Sequence, residues 1–527
     1  MKYRFEKYPS SYRPDADIDE LCFVTDIWDD YGYHTTFHAN LYLQGTHTDM
    51  GFVTIGFNNP DNQDEGKSTY DFIAEHRQTS ESLSTLPDYL FTLGTLEYYK
   101  SVNRLFESKQ EKIRFFKDTN DISYDRVLYV KYSKLDITRN SLLRSSSERS
   151  FKQYQRVAFG GAERVNFDWT ITIQSDESKH TTKLARISND IGSVLPSNLF
   201  AVIGDNGVGK TSLLKDLTVS ANSFGEYVPS RFLAGHHIKL DNSLPITDNE
   251  AITGITNLIF VSYSSFDTFD PEFEKVFTAM PNHRFIGSRK VDYDVSNQES
   301  LKSTINDVTP AGASGRQISE ELTRVFADRE KSEIFNAVFE RFSWDSSLTD
   351  FLNLFQNSSD ENIKENILQE TENLSSGQKL IVSMIANLVD VAAENALMLI
   401  DEPELYLHPP YALALILAIN DIAVRSNSAC IFTTHSAVTL QEIPRDNVLW
   451  VKYAGNLKKI VHPKQQTFGM DTQSINDEIF GVAIRDTGYY ELLRNIVQNN
   501  PSKIRSLIND DLLGQRALVL LNSLKDQ

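Results

Sequence analysis

Four short apolar runs recur along the chain, and each one ends at polar or glycine residues. They are Leu199–Ile203, Leu258–Ser262, Ala396–Ile400 and Ala429–Thr433. Runs of this length that are rich in branched side chains are typical of fully buried strands. Helical patterns lie between them, and strands that alternate with helices predict an α/β fold.

Helical periodicity is strongest after Lys379, where two neighbouring apolar stripes share one helix. Their members are Leu380, Met384 and Leu388, then Ile381, Ile385 and Val389. Tyr411–Ile422 is almost continuously apolar, and Ile318–Phe342 also repeats with a helical period. No heptad array extends between residues 212 and 373, so the sequence predicts no long coiled coil.

The flanking regions carry weaker patterns. Residues 1 to about 65 are predicted to be β-rich, and residues 67–110 are predicted to be helical. The helical prediction rests on apolar residues that recur at threes: Leu90, Leu93, Leu96 and Tyr99. Strand-like pieces at Arg126–Tyr132 and Val165–Ile173 predict a β-subdomain, and residues 484–527 predict a helical tail.

The first apolar run leads directly into a glycine-rich turn and then a helix. The turn and the start of the helix contain Gly204, Asp205, Asn206, Gly207, Val208, Gly209, Lys210, Thr211 and Ser212. This spacing is that of a phosphate-binding loop, whose backbone N–H groups and helix N-terminus face phosphate oxygens. Lys210 can reach the β- and γ-phosphates, and the Thr211 hydroxyl can ligate Mg²⁺.

The net charge and the number of cysteines restrict the classes of protein to which this chain can belong. The 527 residues carry a net charge of −20, and only two of them are cysteines. This charge disfavours non-specific nucleic-acid binding, although a local basic groove stays open. Two cysteines exclude a disulfide framework, and neither a signal peptide nor a membrane span is evident, so we expect a cytoplasmic protein.

Further candidate residues follow the helix and strands just described. Ser375, Gly377 and Gln378 open the striped helix, and a helix N-terminus suits an anion. Asp401 and Glu402 end the third apolar run, where a carboxylate can hold Mg²⁺ and its neighbour can activate water. His435 follows the fourth run, and its imidazole could contact the γ-phosphate.

In this order, the motifs resemble those of the ATP-binding-cassette (ABC) ATPase family. The matching segments are Gly204–Thr211 (Walker A), Leu374–Gln378 (signature), Leu397–Glu402 (Walker B), Glu404–Pro409 (D-loop) and His435 (switch histidine). The resemblance implies a P-loop NTPase fold with a mixed central sheet, a β-subdomain and a helical subdomain. It also implies ATP and Mg²⁺ as cofactors, with Lys210, Glu402 and His435 as catalytic residues and Thr211 and Asp401 as metal ligands.

In that family, two heads enclose two ATP molecules. The resemblance therefore implies a homodimer, in which Ser375, Gly377 and Gln378 of one copy contact ATP bound to the other. Two departures stand out: Ser376 occupies a usual glycine position, and no Q-loop glutamine follows the second apolar run. Ser264 and Asp267 are the only substitutes at hand for that glutamine.

The D-loop Glu404–Pro409 and the segments Thr467–Asp471 and Asn476–Gly481 resemble those of a soluble branch. This branch contains RecF-like repair ATPases, overcoming-lysogenization-defect ATPases and Septu-type anti-phage ATPases. The chain then divides into an N-terminal region (1–121), an ATPase head (122–454) and a helical tail (455–527). The head contains a helical insertion at about 268–373.

Three functions remain open. The leading hypothesis is an ATPase that dimerises around ATP and regulates a separate effector, a nuclease or toxin, in anti-phage defence. The second is a repair or replication ATPase that binds DNA directly. The third is a scaffold that is gated by ATP but does not hydrolyse it, which the missing Q-loop glutamine favours.

Overall fold

The computed structural model describes most of the chain. The described residues are 1–26, 33–58, 68–75, 82–143, 150–161, 163–243, 255–264, 270–279, 283–287, 289–291, 305–308, 315–326, 329–356, 370–371, 373–392, 394–455, 457–480, 488–509 and 512–525. The candidate residue Asp267 lies outside them. Among the described residues, no helix combines the length and apolar character that crossing a bilayer requires.

The strands and helices follow each other in mixed order. The strands are β1 Lys2–Glu6, β2 Glu20–Thr25, β3 Thr36–Leu43, β4 Thr46–Phe57, β5 Leu90–Gly94, β6 Asp168–Ser175, β7 Thr181–Ser188, β8 Leu199–Ile203, β9 Val228–Pro229, β10 His236–Asn242, β11 Leu258–Ser262, β12 Arg284–Gly287, β13 Arg289–Val291, β14 Ile305–Val308, β15 Leu397–Asp401, β16 Ala429–Thr433, β17 Val448–Ala454 and β18 Leu457–Val461.

The helices, numbered in chain order, complete the inventory. They are α1 Thr69–Glu75, α2 Leu96–Leu105, α3 Lys109–Asp118, α4 Arg126–Tyr132, α5 Ser150–Ala158, α6 Lys210–Asn222, α7 Pro271–Ala279, α8 Gly315–Phe326, α9 Arg329–Phe339, α10 Ser346–Gln356, α11 Ser376–Val391, α12 Pro409–Arg425, α13 Ala437–Leu440, α14 Thr472–Ile475, α15 Gly488–Asn499, α16 Ile504–Asn509 and α17 Gln515–Lys525.

A central sheet carries the four apolar runs. Within the described residues, it has seven strands in the order β12-β11-β15-β16-β8-β17-β18. Every neighbouring pair is parallel except the antiparallel hairpin β17–β18. Because parallel strands end at the same edge of a sheet, residues that follow β8, β15 and β16 meet there.

Each face of the central sheet packs against a different subdomain, since side chains alternate along a strand. From β8, Leu199, Ala201 and Ile203 join the core that includes α8, α9, α11 and α12. Phe200 and Val202 join the core of α6 and the four-stranded antiparallel sheet β7-β6-β10-β9. The predicted mixed sheet, β-subdomain and helical subdomain are therefore confirmed, without a long coiled coil among the described residues.

The N-terminal region forms a five-stranded sheet, β1-β2-β3-β4-β5, as the β-rich prediction expected. Its hydrophobic core continues through Ile122, Tyr132 and Phe151 to Ala158. The described residues 122–143 and 150–158 therefore pack with this region, and not with the head in which the sequence places them. The boundary lies after Ala158 instead of after Asp121.

Two local predictions are wrong. Arg126–Tyr132 is the helix α4, because Asp125 accepts hydrogen bonds from the Val127 and Leu128 N–H groups and caps its start. Leu90–Gly94 is the strand β5, entirely buried beside β4. Among the described residues, the helical prediction for 67–110 holds only for α1, α2 and the start of α3. Tertiary burial outweighed the local pattern in the second case.

Candidate nucleotide-binding site

The glycine-rich turn joins β8 to α6 in a conformation that needs its glycines. Gly204 and Gly209 have φ values of 148° and 98°, a region that side chains rarely adopt. A Cβ atom on Gly204 would lie 2.7 Å from the Val451 carbonyl oxygen. The backbone of the loop is therefore closely packed where it enters the N-terminus of α6. There, the first backbone N–H groups of the helix can face an anion.

Lys210 begins α6, and its side chain folds back over the loop. Its Nζ donates to the carbonyl oxygens of Gly204 and Asp205, at 3.0 and 3.2 Å. Burial lowers the pKa of Lys210, while the carboxylates of Glu402 and Asp401 act in the opposite direction. The ammonium therefore lies partly dehydrated at the turn, where a phosphate would strengthen its charged form.

Thr211 and Asp401 meet across the edge of the central sheet. The Thr211 hydroxyl donates to Asp401 Oδ2 at 2.8 Å, and the Thr433 hydroxyl donates to Asp401 Oδ1 at 2.5 Å. Thr433 Oγ1 also accepts from the Glu402 N–H at 2.9 Å. These bonds join the ends of β15 and β16 to the start of α6, and Thr433 is a member that the sequence analysis did not identify.

The oxygens gathered here suit Mg²⁺. A hydroxyl and a carboxylate within hydrogen-bond distance of each other are hard ligands, which this ion prefers. Thr211 and Asp401 could therefore hold Mg²⁺, and the Lys210 ammonium lies on the same loop for the phosphates.

Glu402 and His435 lie next to this oxygen pair. His435 Nε2 is 3.5 Å from Glu402 Oε1, and each side chain is 37% exposed. Glu402 has a φ of 47°, which is unusual for a residue with a side chain and which redirects the chain after β15. Burial, then the nearby Lys210 charge, lowers the pKa of His435, so the neutral imidazole is favoured.

Glu404 supports the segment that carries His435. Its Oε1 accepts from the Thr434 hydroxyl at 2.5 Å and from the His435 N–H at 3.3 Å. Its Oε2 is buried without a hydrogen-bond partner among the described residues. Burial raises the pKa of Glu404, so a proton on Oε2 would relieve the cost of burying the carboxylate.

Ser375, Gly377 and Gln378 lie at the start of α11. Ser375 caps the helix: its Oγ accepts from the Gln378 N–H, and Gln378 Oε1 accepts from the Ser375 N–H. Gln378 Nε2 also donates to Asp345 at 2.8 Å. Among the described residues, these contacts stay within the helical subdomain and do not reach the glycine-rich turn.

The end of β11 reaches the same sheet edge as Asp401. Ser262 is paired in register with Asp401, and the Ser264 N–H donates to Ser262 Oγ at 3.4 Å. Residues 255–264 contain no glutamine. Ser264 is thus close in sequence to the site edge, whereas Asp267 falls outside the described residues.

The structure therefore brings Lys210, Thr211, Asp401, Glu402 and His435 to one edge. The ends of the neighbouring strands β15 and β16 and the start of the helix α6 supply them. Besides Thr433, Glu394 was not predicted from the sequence. It lies between α11 and β15 and forms an ion pair with Arg156 of α5 in the N-terminal region. A hydroxyl residue at the end of a strand beside the aspartate could have indicated Thr433; no local pattern indicated Glu394.

Comparison with known proteins agrees with this site. Residues 199–441 match the family model described as "AAA domain, putative AbiEii toxin, Type IV TA system". The chain is also 27% identical over 522 residues to protein ea59 of Escherichia phage lambda, covering 93% of this chain and 92% of that protein.

Solved structures with similar parts include ABC-type proteins. An SMC head bound to the C-terminal winged-helix domain of ScpA has 11% identity and a TM-score of 0.25, covering 56% of this chain and 97% of that one. UvrA2 from Deinococcus radiodurans has 15% identity and a TM-score of 0.25, covering 57% and 39%. Such scores are too low to carry an argument. The matched residues contain the glycine-rich turn, Asp401, Glu402 and His435, so the family match and the geometry of the turn both agree with a P-loop nucleotide-binding domain in this part of the chain.

Proposed function

We propose that this protein binds ATP with Mg²⁺ and hydrolyses it between two copies of its head, thereby regulating a separate effector. The observation that carries the proposal is the bonded set Thr211–Asp401–Thr433–Glu402 beside Lys210. It gathers phosphate-binding, metal-binding and base groups at one sheet edge. These are the groups that phosphoryl transfer to water requires.

Each side chain has a definite part in this proposal. Lys210 and the loop N–H groups bind the β- and γ-phosphates, and Thr211 and Asp401 hold Mg²⁺. The bound ion would neutralise charge on the phosphate oxygens. Glu402 accepts a proton from the attacking water, while neutral His435 donates a hydrogen bond near the γ-phosphate.

The second copy completes the site in this proposal. Ser375 and Gly377 make no described contact with the turn of their own chain, so their helix N-terminus remains available for another molecule's nucleotide. The effector in this proposal is a separate protein that the ATP-dependent closing of the two heads would regulate. The matched family description names a putative toxin of a toxin–antitoxin system, which supports a role in such a system. We propose a nuclease or toxin in anti-phage defence as the effector.

Glu402→Gln tests the hydrolysis step. Loss of the base should lower ATP turnover roughly a hundredfold or more, whereas ATP binding is kept. ATP-bound dimers should then accumulate, detectable by light scattering after size-exclusion chromatography. Glu320→Gln changes an exposed glutamate of α8 and should leave both measurements unchanged.

Two results would contradict this mechanism. Normal turnover in Glu402→Gln would remove Glu402 from the chemistry. If the unaltered protein binds ATP but releases no phosphate, the non-hydrolysing scaffold is the better description. The absence of a glutamine in residues 255–264 makes that measurement necessary.

One observation favours the DNA-binding alternative. Lys452 and Lys459 are cross-strand neighbours in the hairpin β17–β18. Burial lowers the pKa of Lys452, and the nearby positive charges of Lys459 and Lys464 lower it further. Three clustered ammonium groups suit phosphates, in spite of the acidic total charge.

A salt titration of fluorescent duplex DNA decides this alternative. The effector proposal expects weak binding that is independent of ATP. Tight binding that requires ATP, that falls steeply with salt and whose slope decreases in Lys459→Glu would support direct DNA binding instead.

A further inference from the structure

Lys458 reaches the glycine-rich turn from the edge hairpin β17–β18. Its Nζ lies 2.9 Å from the position that a Cβ atom on Gly209 would occupy. Gly209 is the residue immediately before α6. A second ammonium group, 248 positions along the chain from Lys210, is therefore placed against the same turn.

The ammonium is held in a fixed position. It donates to the Phe232 carbonyl oxygen at 2.7 Å and lies 4.7 Å from the centre of the Phe232 ring. The Phe232 N–H in turn donates at 2.8 Å to Asp216, a fully buried carboxylate of α6. Lys458 therefore lies in a cradle that is anchored to the helix that follows the turn.

Within the part of the chain that the structure describes, the Lys458 ammonium lacks a counter-ion. An ammonium has three N–H donors, and Phe232 takes one of them. No described carboxylate lies within ion-pair distance of Nζ, and the acid that acts on it, Asp216, already accepts bonds from Ser230, Arg231 and Phe232. Burial lowers the pKa of Lys458, so leaving the ammonium unpaired is costly in the free protein.

We propose that Lys458 donates a hydrogen bond to a phosphate oxygen of the nucleotide held by the glycine-rich turn. This inference rests on the proposed nucleotide binding and adds a residue that no P-loop motif contains. One phosphate oxygen would supply both an acceptor for a remaining N–H donor of Lys458 and the negative charge that balances the ammonium. A nucleoside di- or triphosphate is the ligand class that brings this charge to Gly209.

Lys117 of α3 provides a control. Its side chain is exposed in the N-terminal region, away from the glycine-rich turn. Lys117→Met and Lys458→Met remove the same charge, and both keep a long apolar stem.

The test measures Mg²⁺-ATP and Mg²⁺-ADP affinity of the full chain by isothermal titration. Lys458→Met should weaken both nucleotides about tenfold or more, as expected for a charge-assisted hydrogen bond. Lys458→Arg should restore most of the affinity, and Lys117→Met should match the unaltered protein. Adenosine, which has no phosphate, should bind Lys458→Met and the unaltered protein equally.

Each other outcome overturns the inference. Unchanged affinity in Lys458→Met removes the phosphate contact, and a loss that extends equally to adenosine indicates that Lys458 only supports the loop around Phe232. A failure of the proposed function looks different: the unaltered protein and Lys210→Ala would then bind ATP equally weakly.

Discussion

At the scale of single residues, Asp121 shows how burial alters an ordinary acid. It is completely buried in the N-terminal core, where its carboxylate accepts hydrogen bonds from the hydroxyls of Tyr99 and Ser123 and from the Ser123 and Tyr124 N–H groups. Burial nevertheless prevails and raises the pKa of Asp121 to about 6. Ionisation of Asp121 therefore lowers the stability of the N-terminal region, and this effect depends on pH.

The sign of this effect gives a prediction. The pKa of Asp121 is higher in the folded protein than in the unfolded chain. The contribution of the protonated carboxyl to the free energy of unfolding is therefore complete below about pH 4 and is lost as the pH rises to about 6. The loss amounts to about 3 kcal/mol. Asp121→Asn cannot titrate, so its stability relative to the unaltered protein should rise across this interval.

Hydrogen exchange of peptides from β5 and α5 measures this difference at several pH values. The constant cost of replacing a carboxylate oxygen by an amide shifts all points equally and does not affect the slope. A difference between the two proteins that stays flat from pH 4 to pH 7 would show that burial does not perturb Asp121.

Residue types also explain how much of the site was predictable. The glycines, Lys210 and Thr211 occur together in one short segment, and their spacing alone indicates a phosphate loop. Thr433 and Lys458 carry no such signal, because each acts through a partner more than thirty positions away. Only the register of β16 beside β15, and of β18 beside β17, brings them to the turn.

At the scale of elements, prediction depended on how completely an element is buried. The runs that became β8, β11, β15 and β16 lie within the central sheet, where both faces are covered, and continuous apolar sequence indicates this directly. The wrong predictions lie in the N-terminal region. There α4 exposes Val127 and Val130, residues whose branched side chains favoured a strand.

The cap of α4 accounts for that outcome. Asp125 stabilises the first turn, and Tyr132, at the other end of the helix, is buried against Phe91 with ring centres 4.3 Å apart. One capping carboxylate and one packed ring outweigh the small intrinsic preference of two exposed valines. That balance is set by β5, a strand more than thirty residues earlier in the chain.

At the scale of the whole molecule, a buried contact joins the N-terminal region to the domain that is built on the central sheet. Arg156 of α5 forms an ion pair with Glu394, whose side chain is 4% exposed. Asn427 donates to Glu394 Oε1 at 3.1 Å and to the Glu163 carbonyl oxygen at 2.8 Å. Glu394 lies between α11 and β15, so the contact is made at the junction of the Ser375 helix and the Asp401 strand.

Breaking this contact from one side should loosen the junction. Arg156→Met leaves a buried, unpaired carboxylate, a change that costs roughly 3 to 5 kcal/mol in other proteins. Hydrogen exchange should therefore increase around residues 394–397 and 427. Arg114→Met, which removes an arginine that is 82% exposed, should change nothing there.

A double variant separates the ion pair from other causes. Adding Glu394→Gln to Arg156→Met removes the unpaired charge, so exchange should fall back towards that of the unaltered protein. Equal exchange in Arg156→Met and in the unaltered protein would mean that the pair does not hold the two parts together.

The sequence by itself determined the chemistry of the glycine-rich turn, the acidic end of β15 and the α/β class. These features depend on residues close together in the chain, where spacing is a direct measure of geometry. The tertiary structure alone decided that the described residues 122–143 and 150–158 belong with the N-terminal sheet, that Thr433 bridges Asp401 and Glu402, and that Lys458 and Glu394 reach their partners. Strand order and burial set these contacts, because both are properties of the folded chain as a whole.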